Sequence, residues 1–492
     1  MCKKFRNVFT PTTANFDIRA IVDISISFGH GEEAQITGTS KLQEISKDDG
    51  NMSIVAFPSY HLAHSFHHIR KINFGGFDRL KVMFEMQSPI INRQLVTTQQ
   101  QPLPLLPCLE RLWVEHMNTL SHVWKCNNWN KFFILHKHQP QSSFQNLTYI
   151  YLLYCKSIKY LFSPLMSKLL SNLKTIYIIF CDGIEEIVSN RYDEDEVLII
   201  STTTLFPHLD RLDLNGLRNL KHIGGGVAKG KTNVIHDQFK LSQVGVVSWS
   251  LCQYSTQIYI AGCHALSSVI PSYAAAQMHK LQNLSIHNCA SMVEVFEIKE
   301  INNYGCSSNL DQGNITMHHE LTNLKTLYIS TCHLLEYIFT FSTLKSLKKL
   351  EELSIEKCKA MKVIVSEENG DESSKVVLPR LKSIKLDDLP NLVGFFLGVN
   401  IDFEFPSLDD VEISDCPQMM VFTSGESKAP KLECIQTWLG IHNLACGLNF
   451  HQTVQTCAVL LYKGVLGPFI TWSDCIADVM TNLKILFHPK SC

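Results

Sequence analysis

Apolar residues recur along this chain in one frame, L-x-x-L-x-x-L-x-I-x-x-C-x-x-L/M-x-x-I. Two copies show it most clearly. Leu321–Phe339 reads LTNLKTLYISTCHLLEYIF, Leu347–Val365 reads LKKLEELSIEKCKAMKVIV, and they begin 26 residues apart. Further copies start at Phe66, Leu106, Phe144, Leu170, Phe206, Cys252, Met278, Leu378 and Phe405, making eleven. The L-x-I core alternates apolar and polar positions, as a short strand with one buried face does. The flanking apolar residues at three-residue intervals suit an arc or loose helical turn that closes back onto the strand. One such unit cannot bury its own apolar side, so units must stack. The pattern therefore predicts an α/β solenoid of irregular leucine-rich repeats, a curved horseshoe with a parallel β-sheet on its concave face.

Two kinds of lead-in are visible. Phe341–Leu353 (FSTLKSLKKLEEL) reads as helical. Elsewhere a proline follows the first apolar residue, at Pro107, Pro207, Pro379 and Pro406. Its fixed φ and missing N–H predict a turn there and not a helix interior. The insertions between copies, such as Arg191–Val197, Gly224–Val234, Glu300–Asn314 and Ser366–Lys375, are polar and read as loops. Residues 1–58 contain no clean copy and read as a flanking or partial capping segment. The array then runs over 59–425, a partial capping unit over 426–452, and residues 453–492 stay unassigned.

Seven copies place a cysteine just after the strand: Cys155, Cys181, Cys263, Cys289, Cys332, Cys358 and Cys416. The other four carry Phe77, Met117, Leu217 and Leu389 there. Exchange with large apolar residues marks the position as buried, with cysteine acting as a small hydrophobe. A ladder of one thiol per repeat also keeps the thiols from converging on a metal.

Composition sharpens this picture. The chain of 492 residues is 45% hydrophobic, enough for a large core. Its 44 basic and 46 acidic residues give a net charge of −2, which argues against a nucleic-acid partner. The 17 cysteines form no C-x-x-C pair. The first residues lack an apolar secretory core, and Val454–Trp472, broken by Gln455, Lys463, Gly467 and Pro468, is a poor membrane span. These features fit a cytoplasmic or nuclear setting with free thiols.

Gly225–Thr232, GGVAKGKT, matches the phosphate-binding pattern G-x-x-x-x-G-K-[ST]. Such a loop directly follows a buried strand and opens a helix. Here the strand core, Leu212–Leu214, ends ten residues earlier, and the following NVIHDQFKLSQVG is a poor helix start. Framing thus argues against nucleotide binding, and no cofactor is expected. His61, His64 and His68 could share a helix face, but no carboxylate accompanies them. The sequons at Asn51, Asn146, Asn283 and Asn314 imply nothing without secretion, and two of them fall inside the frame.

In a solenoid, function falls on residues the frame leaves free. The x of L-x-I points away from the core, and along the chain it is Asn73, Trp113, Tyr151, Tyr177, Asp213, Tyr259, Ser285, Tyr328, Ser354, Lys385 and Glu412. Aromatics suit strands and stack across rungs, which alone explains their presence. Exposed Trp and Tyr are also favoured anchors in protein interfaces. The candidate partner-binding face is therefore Trp113, Tyr151, Tyr177, Tyr259 and Tyr328, with a polar rim of Arg111, Glu115, Arg211, Glu356 and Asp410.

Longer phrases carry a more specific likeness. CKSIKYLFSPLMSKLLSNLKTI, LFPHLDRLDLNGLRNLKHIGGG, LPRLKSIKLDDLPNLVGFFLG and CPQMMVFTSGESKAPKLECI resemble the repeat region of plant coiled-coil NB-LRR disease resistance proteins, closest to the resistance-gene candidates of lettuce and its relatives. The likeness covers roughly residues 52–452. It implies a non-catalytic sensor of a pathogen effector or a guarded host protein. The family's nucleotide-binding switch domain has no counterpart here, so partners would include a separate switch domain. Leucine-rich repeats also serve as scaffolds and substrate adaptors elsewhere, which keeps a second class of function open, as does a truncated, non-signalling gene product.

Overall fold

The computed structural model describes residues 69–86, 104–126, 143–189, 205–227, 248–270, 278–297, 321–367, 375–398, 401–437 and 440–443, apart from scattered single positions. It adds Trp129 and Phe132, and the strand backbones Ile24–Gly29, Glu33–Gly38 and Val55–Pro58. The chain forms two compact units, Met1–Leu266 and Ser267–Cys492.

Each of the eleven frames makes one five-residue strand, with L and I of L-x-I as its second and fourth residues. In the first unit these are Lys71–Gly75, Arg111–Glu115, Tyr149–Leu153, Thr175–Ile179, Arg211–Asn215 and Gln257–Ala261. They pair parallel and in register, so that Asn73, Trp113, Tyr151, Tyr177, Asp213 and Tyr259 lie side by side in order. In the second unit the rungs are Asn283–His287, Thr326–Ser330, Glu352–Glu356, Ser383–Asp387 and Asp410–Ser414, again parallel and in register. Repeated pairing of this kind is what a stacked solenoid requires, because each rung's N–H and C=O groups find partners only in its neighbours.

Further strands join the sheet at the ends of the array, within the segments 1–58 and 426–452. Glu33–Gly38 is a further rung, parallel to Lys71–Gly75, and Ile24–Gly29 folds back antiparallel on it. Its AQITG core lacks the flanking leucines of the frame, which hides it in the sequence. At the other end Cys434–Thr437 joins Asp410–Ser414 parallel, and Gly440–Asn443 closes antiparallel.

Behind the main sheet, short parallel strands take the place of most expected helical turns. The first unit has Val55–Pro58, Val82–Met86 and His122–Cys126, then Tyr160–Phe162 with Glu186–Val188. The second has Phe339–Thr340, Val363–Ser366 and Gly394–Phe396, and a third set, Lys375–Val377, Asp402–Glu404 and Ser427–Lys428. The helical reading of Phe341–Leu353 holds only for Phe341–Ser346, N-capped by the Thr340 hydroxyl, before Leu347 leaves helical geometry. The proline-marked lead-ins at Pro107, Pro207, Pro379 and Pro406 are turns.

The core is the interior of this coil. Strand positions two and four are buried throughout, and large phenylalanines fill the space behind them. Phe162 packs on Trp124 and Phe206 at ring distances of 5.7 and 4.9 Å, and Phe395 stacks on Phe422 at 4.9 Å. Each such ring contributes on the order of 2–3 kcal/mol by leaving water. The cysteine ladder is fully buried, as are Phe77, Met117, Leu217 and Leu389 at the same position. All seven thiols donate to the carbonyl two residues back, at 3.2–3.6 Å. Burial raises the thiols of Cys263, Cys358 and Cys416 to about 12, which keeps them protonated and inert.

Candidate functional site

Between strand and cysteine each rung turns through one residue with positive φ. These residues are Gly76, His116, Tyr154, Phe180, Gly216, Gly262, Asn288, Thr331, Lys357, Asp388 and Asp415. The turn recurs because its N–H adds a rung-to-rung bond beyond the strand: Tyr154 donates to Ile179 O at 3.0 Å and Phe180 to Asn215 O at 2.8 Å. Glycine, asparagine and aspartate accept this conformation at little cost, whereas aromatic residues do not.

The open face of the first unit is aromatic over three adjacent rungs. Trp113 stacks on Tyr151 with centroids 3.9 Å apart, and Tyr151 meets Tyr177 at 6.1 Å. Tyr149, at the first strand position, meets Tyr177 at 5.6 Å. A second column runs through the positive-φ positions, where His116 stacks on Tyr154 at 5.1 Å and Tyr154 on Phe180 at 5.2 Å. Half-buried Leu153 and Ile179, at the fifth strand position, lie between the two columns in register. Tyr154 and Phe180 stay 37% and 42% exposed, among the most exposed large apolar residues described.

The expected polar rim is engaged by the aromatics. Arg111 lies over the Tyr149 ring at 5.9 Å and Arg211 over Tyr177 at 5.3 Å. The Trp113 indole N–H donates to Glu115 Oε2 at 3.0 Å. Arg211 also pairs with Asp213 at 3.4 Å. Asp213 is the one residue of the central position that is buried, and burial raises its carboxyl despite Arg211. It stands in register between Tyr177 and Tyr259, so Trp113, Tyr151 and Tyr177 form one group and Tyr259 lies beyond the break. Burial, then the neighbouring Glu115 and Asp213 carboxylates, raise the Tyr151 phenol, and burial with Tyr177 and Tyr151 raises that of Tyr149. Both phenols are therefore neutral donors at physiological pH.

The second unit presents different chemistry at the same strand positions. The Tyr328 hydroxyl donates to Glu356 Oε2 at 2.9 Å, Lys385 pairs with Glu356 at 3.1 Å, and His287 packs on Tyr328 at 4.7 Å. Asp410 accepts from the Ser383 hydroxyl at 3.1 Å. Of the ten candidate residues, the structure thus gathers Arg111, Glu115, Trp113, Tyr151, Tyr177 and Arg211 in one place. Tyr328 and Glu356 form a separate charged network, and Asp410 belongs to its last rung. His116, Tyr149, Leu153, Tyr154, Ile179 and Phe180 escaped the sequence reading. A trace existed, because aligning the frames shows Gly, Asn or Asp filling the pre-cysteine column in six rungs, which marks left-handed backbone.

Other motifs find no support as sites. Gly225–Val227, the start of the phosphate-loop match, is a strand paired antiparallel with Ser248–Ser250, and Ala228–Thr232 lie outside the described residues. His61, His64 and His68 also lie outside them, as do Asn51 and Asn314. Asn146 uses its amide on Pro107 O at 2.7 Å, and Asn283 accepts from Thr326 at 2.8 Å. Among the described residues no group of His, Cys, Asp and Glu could hold a metal, and no helix is long and apolar enough to cross a membrane.

Parallel in-register rungs, a buried cysteine or large apolar residue after each strand and an open sheet face define a leucine-rich-repeat solenoid of the α/β class, with few helices. The family model for "Plant disease resistance protein RPS2-like, leucine-rich repeats" matches residues 126–250, 240–323 and 305–433. The chain belongs to that family, whose repeats serve as a protein-recognition scaffold. No curated protein matches it. Similar solved structures include a leucine-rich repeat protein from Bacteroides ovatus (10% identity, 84% of this chain and 91% of that one, TM-score 0.20). A leucine-rich cell surface protein from Faecalibacterium prausnitzii is similar at 9% (86% and 95%, TM-score 0.20). The plant peptide hormone receptor RGFR1 in complex with RGF2 is similar at 10% (82% of each, TM-score 0.12).

Proposed function

We propose that this chain is a non-catalytic recognition module of plant defence, working in the cytoplasm or nucleus. It senses a pathogen effector or a guarded host protein and passes the signal to a separate switch domain. The observation that supports this reading is the aromatic group Trp113–Tyr151–Tyr177 on the open face of the first unit, flanked by Arg111 and Arg211. Stacked rings lose little conformational entropy on binding, and Trp, Tyr and Arg dominate interface energetics. Stacking across rungs also serves the sheet, so the test must separate binding from folding.

The test screens pathogen effectors and host proteins for association with the full chain, then repeats every hit with Trp113→Ala and Tyr151→Ala. Loss of association at unchanged thermal stability supports the reading. Hits that bind both variants as well as the native chain overturn it.

A further inference from the structure

The two aromatic columns and the residues between them form a band three rungs wide. Neighbouring rungs lie about 4.8 Å apart, and the central and positive-φ positions about 10 Å apart along the chain. The turn geometry of the outer column does not itself call for aromatics. Glycine, asparagine or aspartate fills the same turn in Gly76, Gly216, Gly262, Asn288, Asp388 and Asp415, and Thr331 and Lys357 fill it in two more rungs. Three consecutive rungs instead carry His116, Tyr154 and Phe180 at φ 52–54°, each facing solvent, and for Tyr154 and Phe180 that φ is unfavourable. Placing aromatics at a position that costs both backbone strain and apolar exposure points to a surface kept for contact.

The band restricts what can lie on it. The backbone groups of these strands are consumed by the parallel ladder, from Arg111–Glu115 through Arg211–Asn215. An extended strand laid across the rungs would find no backbone partners, so the occupant must satisfy its own. A polyproline helix needs none, but repeats every ~9.3 Å and meets only alternate rungs. An α-helix bonds internally and presents an apolar ridge at i, i+4 and i+7, rising ~5.4 Å per turn. Successive turns then fall on successive rungs.

Charge sets its other face. Arg111 and Lys156 are exposed and form no ion pair among the described residues. Arg111 stands at the first strand position, and Lys156 two residues beyond Tyr154. Three acids border the band: Asp213 pairs with Arg211, Asp182 with Arg218 at 4.0 Å, and Glu115, on the edge rung, accepts from the Trp113 N–H. We infer that the occupant is an acidic amphipathic helix of a partner protein. Its apolar ridge seats on Leu153 and Ile179 between the aromatic columns, and its carboxylates meet Arg111 and Lys156. This rests on the recognition reading above and names the partner's chemistry.

The test pans two displayed peptide libraries, one helix-constrained and one proline-rich, against the full chain. Binders are then measured on Tyr154→Asn, Phe180→Asn, Arg111→Gln and Lys156→Gln. Asparagine suits the left-handed turn, so the first two variants keep the fold, and melting curves confirm it. The expected binders are helical, with apolar residues at i, i+4 and i+7 flanked by Asp and Glu. They weaken roughly tenfold on Tyr154→Asn or Phe180→Asn, and lose much of their salt dependence on Arg111→Gln and Lys156→Gln. Binders that are basic or proline-rich, or that need Trp113 and Tyr151 but not Phe180, overturn the helix and leave the recognition face standing. Binders indifferent to all these residues overturn both. A helix library that yields none also counts against the inference.

Discussion

The Trp113 indole lies on the Tyr151 ring at 3.9 Å with 26° between planes, while its N–H is held by Glu115. Stack and hydrogen bond together fix the indole on the open face of the sheet. For a partner seated there, Trp113→Ala and Tyr151→Ala should each weaken binding by about 2 kcal/mol or more, roughly thirtyfold. Because the rings touch, the double variant should cost less than the sum. A double-mutant cycle by calorimetry checks this, and strict additivity would show that the rings act independently.

Phe180 offers a contrast between stability and binding. Its φ of 52° is strained for an aromatic residue, and its ring covers Gly216. Phe180→Asn relieves ~1 kcal/mol of backbone strain and loses a stack on Tyr154 of comparable size. The expected change in stability is within about 1 kcal/mol, far from the ~3–5 kcal/mol of truncating a core phenylalanine such as Phe206. Chemical denaturation of the two variants decides it; a large loss for Phe180→Asn would make the outer column structural.

Gly183 is a close-approach glycine with ordinary φ. A Cβ there would run into the carbonyl oxygens of Lys156 and Ile158 in the preceding repeat. These are backbone atoms that the rung spacing holds in place. Gly183→Ala should therefore destabilise the first unit by about 2 kcal/mol or more. Differential scanning calorimetry should show a lowered transition, and an unchanged one would mean that the two repeats can separate locally at little cost.

The cysteine ladder predicts an alkaline limit. Thiols of Cys263, Cys358 and Cys416 ionise at about 12 in the fold, against the usual 9.0, because burial disfavours the thiolate. The folded pKa is raised, so this contribution is fully present below pH 9 and is lost as pH rises from 9 towards 12. Each thiol adds a slope of about 1.4 kcal/mol per pH unit in that window. Melting temperature against pH should fall more steeply above 9 for the native chain than for Cys263→Ala. At pH 8 the thiols of Cys263, Cys358 and Cys416 should resist alkylation until the chain unfolds, unlike the partly exposed Cys108, Cys126 and Cys434; rapid labelling of the three, located by peptide mapping, would contradict their burial.

How much of this could be read from the chain differs by feature. The eleven strands, their in-and-out alternation and the buried cysteine column were legible because each depends on residues within one frame. The frame did not show the Glu33–Gly38 rung, whose pairing with Lys71–Gly75 rather than local leucines makes it a strand. Helix was overestimated at Phe341–Leu353, where the following strand claims Glu352 and Leu353.

The site divides the same way. Periodicity named Trp113, Tyr151 and Tyr177 and set them on one face, since alternation along a strand is a local property. Which rings touch, and that Asp213 interrupts their column, follow only from the register between rungs. The outer column is the clearest case. No local preference turns Tyr154 or Phe180 left-handed. The neighbouring rung does so, by accepting their N–H groups at a fixed spacing. The sequence alone determined the repeat and its buried set, because burial is written in each frame. The tertiary structure decided the recognition surface, because that surface is made of contacts between frames.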